Sequence, residues 1–194
     1  MLSVMICLSY ARNVIWLNEI DLAKDCAEKS PSKARTIEHL AYLYLQDSAT
    51  VKDVDAVRDE LQKIIQQNID DVKLYNILGI TYLKLHVYQK AHDAFKKALF
   101  LAPDNADTYV NIAAMYGMIG EYTASLEASR KALVLNPVDK TAYNNIGLAY
   151  ASVGRHPEAI PMYEKSLELD PAYEEARYNL ELSRRAMNNN KITR

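Results

Sequence analysis

An all-α fold built from repeated helix pairs is predicted for this chain, and three observations carry the prediction. Pro103, Pro137 and Pro171 stand 34 residues apart, each closing a helix-compatible run: KKALFLAP, RKALVLNP and EKSLELDP. Tyr75, Tyr109 and Tyr143 recur at the same interval and are followed seven residues later by Tyr82, Tyr116 and Tyr150. Only five glycines occur in 194 residues, which leaves little material for the turns of an all-β fold or for phosphate-cradling loops.

Composition narrows the function classes. Hydrophobic residues make up 49% and charged residues 25%, as in a globular protein. The 23 basic residues against 25 acidic ones give a net charge of -2, with no cation excess to neutralise a run of phosphates, so no nucleic acid partner is expected. Cys7 and Cys26 have no CxxC pair or histidine cluster beside them, and the four histidines show no ligand spacing, so neither a disulfide framework nor a metal site is expected. No nucleophile, base and orienting group assemble in the sequence; no catalytic residue, cofactor or small-molecule substrate is expected.

Taken in order, residues 1–32 hold an apolar start and an amphipathic helix. Met1 to Leu8 is apolar apart from Ser3, but eight residues fall short of the roughly 20 a membrane helix needs, and no basic residue precedes them as in a secretory signal. Ala11 to Lys29 places Ile15, Trp16, Ile20, Leu22, Ala23 and Ala27 at helical spacing and stops before Ser30-Pro31. Residues 33–71 read as a divergent helix pair, Lys33 to Leu45 and Asp53 to Gln67, the second with an apolar face of Val54, Val57, Leu61, Ile64 and Ile65; Ile69 stands in the proline slot. Regular units follow at 72–105, 106–139 and 140–173. Within them Leu78, Ile112 and Ile146 align, each followed by a small residue, Gly79, Ala113 or Gly147. Residues 174–194 are a single capping helix to about Met187 with a frayed tail, in which Glu181 and Arg184 replace the expected small and aromatic residues.

On these residues the sequence resembles the tetratricopeptide repeat (TPR) family, strongly from Val72 to Tyr173. The family's further small slots are met by Ala91, Ser125 and Ala159 and by Ala98, Ala132 and Ser166, and its bulky slot by Phe95 and Tyr163. Ser129 departs, standing where a ring is expected. The resemblance implies a right-handed α–α solenoid of helix-turn-helix units, whose first helices line a concave surface that binds extended peptides or partner helices. It also absorbs the glycines: Gly79 and Gly147 at helix crossings, Gly120 and Gly154 in turns where the first unit has His86.

The leading expectation is therefore a protein-interaction module or scaffold with a protein or peptide ligand. With Tyr109, Ile112, Ala113 and Tyr116 on the buried side, helical geometry puts Asp107, Asn111, Ala114 and Met118 on the opposite face. The equivalent residues are Lys73, Ile77, Ile80 and Lys84 before them and Thr141, Asn145, Leu148 and Ser152 after them. Asn111, Asn145 and Asn179 form a ladder at 34-residue spacing that resembles the asparagine spine of repeats gripping a peptide backbone, with Asn76 and Asn144 as adjacent polar contacts and Leu148 as apolar floor. A chaperone-tail clamp is disfavoured, because Asn76, Ile80, Thr141 and Asn145 stand where it wants cations and amides and only Asn111 fits.

A second resemblance lies at the N-terminus. Arg12-Asn13, Trp16, Glu19, Leu22, Lys29-Ser30-Pro31 and Arg35 are similar to the joint between the last membrane helix and the repeats of polytopic glycosyltransferase-like membrane proteins, with Ala23 departing from a usual tryptophan. It implies the alternative of a structural or assembly subunit, or a detached soluble tail, that docks on a membrane-protein partner through residues 1–29. The sequence leaves localisation unknown, with cytoplasmic as the default and membrane-peripheral as the alternative.

Overall fold

The computed structural model of the chain describes residues 51–66 and 70–192. The apolar start, the amphipathic helix, the joint-like segment, the helix expected at 33–45 and the slot of Ile69 all lie outside the described residues. Eight helices are described: α1 (Val51–Ile65), α2 (Val72–Lys84), α3 (Tyr88–Leu101), α4 (Ala106–Met118), α5 (Tyr122–Leu135), α6 (Lys140–Ser152), α7 (His156–Leu169) and α8 (Glu174–Ile192). No strand occurs among the described residues. The chain divides into two compact units after Leu101; α1–α3 belong to the first and α4–α8 to the second.

The 34-residue period is a period of backbone constraints. Asp71, Asn105 and Asp139 cap the first helix of each regular pair, their side chains accepting from the backbone N–H of Lys73 (2.8 Å), Thr108 (2.9 Å) and Ala142 (2.9 Å). At the other end of those helices the N–H groups of Val87, Glu121 and Arg155 donate to the carbonyls of Tyr82, Tyr116 and Tyr150, each at 2.9 Å. This six-to-one closure requires a left-handed residue in between. Gly120 (φ 83°) and Gly154 (φ 77°) supply it, and in the first unit His86 adopts it at φ 57°. Between pairs, the N–H groups of Asn105, Asp139 and Tyr173 return to the carbonyls of Ala102, Asn136 and Asp170 at 3.2, 3.3 and 3.1 Å. Pro103, Pro137 and Pro171 each occupy the second position of these turns, where the ring presets φ.

Close crossing of the two helices sets the interior of each pair. A Cβ on Gly79 would lie 2.2 Å from the Phe95 ring, and one on Gly147 would lie 2.6 Å from the Tyr163 ring. Both rings are buried, and the Tyr163 hydroxyl is pushed far up in pKa by that burial, with a hydrogen bond to Ser183 pulling the other way. The middle pair solves the same contact differently. Ala113 and Ser129 occupy the two slots, both fully buried, so the added methyl faces a residue without a ring. Ser125 Oγ donates to the Ala113 carbonyl at 2.8 Å across the same crossing, whereas Ser129 Oγ is buried without a partner. Met115, also buried, brings side-chain volume into this pair at the slot where the others carry Thr81 and Ala149.

In the first unit Val54, Val57 and Leu61 present the buried stripe of α1, and Gln62 Nε2 donates to the Tyr82 hydroxyl at 2.6 Å. In the second, Val110, Ala132 and Ala142 form one cluster, and Ala159, Tyr163 and Leu180 another that draws α8 onto α7. Glu181 and Arg184 of α8 are exposed, and Arg184 pairs with Glu164 at 2.8 Å. The expected end of this helix near Met187 is corrected: it runs to Ile192, because no glycine or proline interrupts residues 174–192.

Two stability measurements follow from this geometry. Gly147→Ala is expected to cost about 1–3 kcal/mol through overpacking against Tyr163. The double variant Gly147→Ala/Tyr163→Ser, which copies the middle pair, is expected to show a favourable coupling of about 1 kcal/mol or more in urea unfolding. Additive losses would mean that the ring is not what excludes the methyl group. His86→Gly is expected to stabilise by about 0.5–1 kcal/mol, since it removes a left-handed strain while giving up only an exposed contact, Nδ1 to the Tyr88 hydroxyl at 3.0 Å. A lower melting temperature for that variant would contradict the strain.

Candidate peptide-binding face

In the second unit the first helices of successive pairs, with α8 as the last, present one face each: Asp107, Asn111, Ala114 and Met118 on α4; Thr141, Asn145, Leu148 and Ser152 on α6; Glu175, Asn179, Leu182 and Ala186 on α8. Three of the apolar side chains in this set are exposed, Met118 at 50%, Leu148 at 39% and Leu182 at 46%. The asparagines sit three residues before Ala114, Leu148 and Leu182, hence one helical turn away on the same side. The result is an amide stripe running beside an apolar one.

Two of the hydrogen bonds that tie these helices together come from the stripe itself. Asn145 Nδ2 donates to the Val110 carbonyl of α4 at 3.4 Å, and Asn179 Nδ2 donates to Asn144 Oδ1 of α6 at 3.1 Å. Asn145 and Asn179 thus each reach back to the preceding helix through the amide nitrogen. Asn145 is only 8% exposed, a drier position than expected of a groove amide, because α4 lies against it. Asn111 is half-buried and makes no hydrogen bond among the described residues.

Asn144 stands beneath the face. It is fully buried, and its Nδ2 donates to Glu175 Oε1 at 3.1 Å while its Oδ1 takes the Asn179 bond. One residue along a helix is a rotation of about 100°, enough to carry Asn144 from the face that holds Asn145 into the contact with α8. Glu175 Oε2 accepts from the Tyr173 hydroxyl at 3.2 Å. Burial, reinforced by the Glu175 charge, pushes Tyr173 up to about 12 in pKa. The Lys140 ammonium lies 5.1 Å from the Tyr173 ring centre and pairs with Asp170, whose carboxyl that contact and the Ala172 N–H hold below the usual range. Asn76 belongs to the first unit, at the slot two repeats before Asn144; it is buried and its Oδ1 has no partner.

Glu175 and Leu182 were not singled out by sequence reasoning, although each follows a named residue, Thr141 or Leu148, by 34 positions. The same 34-residue spacing that marks Asn179 in the cap is the signal that finds them. No group of His, Cys, Asp or Glu among the described residues is placed to hold a metal ion, and no described helix is long and apolar enough to cross a membrane.

Comparison with known proteins agrees with this architecture. The tetratricopeptide repeat family model matches residues 141–173. Among solved structures, the crystal structure of MamA is 28% identical, covering 71% of this chain and 80% of that one with a TM-score of 0.60. The first TPR of Spaghetti (RPAP3), bound to the HSP90 peptide SRMEEVD, is 27% identical over 60% of this chain and 92% of that one, TM-score 0.56. TTC0263, a thermophilic TPR protein of Thermus thermophilus, is 19% identical over 84% and 88%, TM-score 0.73, a likeness of fold. No curated protein matches at a significant level. The chain carries the tetratricopeptide-repeat fold.

Buried and half-buried amides separate by mutation. Asn144→Ala strands Glu175 and Asn179 and is expected to cost about 1–3 kcal/mol, while Asn111→Ala is expected to stay within about 0.5 kcal/mol of the parent. Thermal or urea unfolding of the two single variants checks this, and equal effects would contradict the assignment.

Proposed function

We propose that this chain is a protein-interaction module that takes an extended peptide across α4, α6 and α8, with Asn111, Asn145 and Asn179 meeting the peptide backbone and Leu148 as apolar floor. The observation that carries it is the amide stripe alongside exposed apolar side chains on α4, α6 and α8. Asn145 and Asn179 commit their nitrogens to the preceding helix, so their oxygens are the groups offered to backbone N–H donors of a ligand. The RPAP3 neighbour bound to a peptide supports the class of ligand. Asn144 acts by fixing Asn179, and Asn76 holds the corresponding place in the first unit.

A library of unstructured synthetic peptides tests the proposal. Replacing Asn111, Asn145 and Asn179 together with alanine is expected to weaken the best-retained peptide by about 1.5–4.5 kcal/mol if the three contributions add. Melting is expected to fall only modestly, through loss of the two interhelical bonds. Unchanged affinity would remove the amides from the grip.

A further inference from the structure

Charge on the proposed face is one-sided. Asp107 is exposed and has no ion-pair partner among the described residues, and Glu175, two repeats on in the same slot, is held only by the neutral donors Tyr173 and Asn144. Both lie in first helical turns, where the aligned peptide dipoles favour the ionised carboxylate. The cations of the second unit whose side chains are described are engaged elsewhere. Six of them are ion-paired. The other two, Arg130 and Lys131, sit against the Tyr150 hydroxyl at 3.2 Å and the Tyr109 ring at 5.9 Å. Along the same face Leu148 and Leu182 remain exposed, one turn from the asparagines.

Building on the peptide-binding face just proposed, we infer that this face selects a peptide that is apolar and basic: apolar side chains on Leu148 and Leu182, and lysine or arginine toward the edge formed by Asp107 and Glu175. An acidic segment such as SRMEEVD, the peptide bound by the RPAP3 neighbour, would bring carboxylates to a face whose own residues include two carboxylates and no cation. Like charges in that position cost affinity, and the exposed acidic edge makes the selection sensitive to salt.

The experiment uses two fluorescent octapeptide pools with identical apolar positions, one carrying lysine and the other glutamate at the remaining positions, titrated with the full chain. At about 50 mM salt the lysine pool is expected to bind at least about tenfold more tightly, with the difference narrowing at high salt. Asp107→Asn with Glu175→Gln, which keeps the acceptor for Asn144, is expected to abolish the preference, so that the two pools bind alike. Equal binding of the two pools, or tighter binding of the glutamate pool, overturns the inference while leaving the face itself standing. The exposed substitution Leu148→Asp separates the two levels: if it leaves both pools bound as before, binding is elsewhere and the groove proposal falls too. Binding of neither pool overturns both.

Discussion

How near two helices of a pair can approach is the constraint on which the rest depends. At Gly79 and Gly147 the backbone of the first helix rests on the ring of Phe95 or Tyr163, leaving no room for even one methyl group. That proximity places the intra-pair turn under tight geometry, which the left-handed residue and the six-to-one hydrogen bond satisfy. It also decides which side of the first helix is committed to its partner, and hence which side is left over for the next pair or for a ligand. The amide stripe is a product of that commitment.

The fold was legible because its determinants are local and repeat. Proline recurs where a turn needs a preset φ, an Asp or Asn recurs where a helix needs a cap, and glycine recurs where the chain turns left-handed or crosses a ring. The His86 turn was legible by register even though the residue type is wrong for it. The C-terminal boundary was not, because residues 174–192 hold no glycine or proline to mark where the helix stops.

Of the candidate site, the sequence yields a helix face and not the surroundings of each residue on it. Asn144 and Asn145 are adjacent amides with the same composition signal, yet one is locked under α8 and the other spans to α4. What separates them is the neighbouring helix, which no single-helix projection contains. The slot occupied by Asn76, Val110 and Asn144 alternates between amide and aliphatic residues, a mixture suited to an interhelical contact where either packing or hydrogen bonding suffices. Glu175 gained its place beside the stripe through Asn144, a partner that only tertiary contact brings to it.

The Ala113–Ser129 pair also bears on the order in which such a contact can change. If the units arose by duplication of one 34-residue segment bearing glycine opposite a ring, the two changes in the middle unit could not have been accepted in either order with equal ease. Losing the ring first leaves a void that neighbouring side chains can partly close. Gaining the methyl first drives it into an aromatic ring within van der Waals distance of a rigid backbone. Descent through the ring-less intermediate is therefore the accessible route, and relatives retaining Ala opposite a ring at this crossing should be rarer than those retaining Gly opposite Ser.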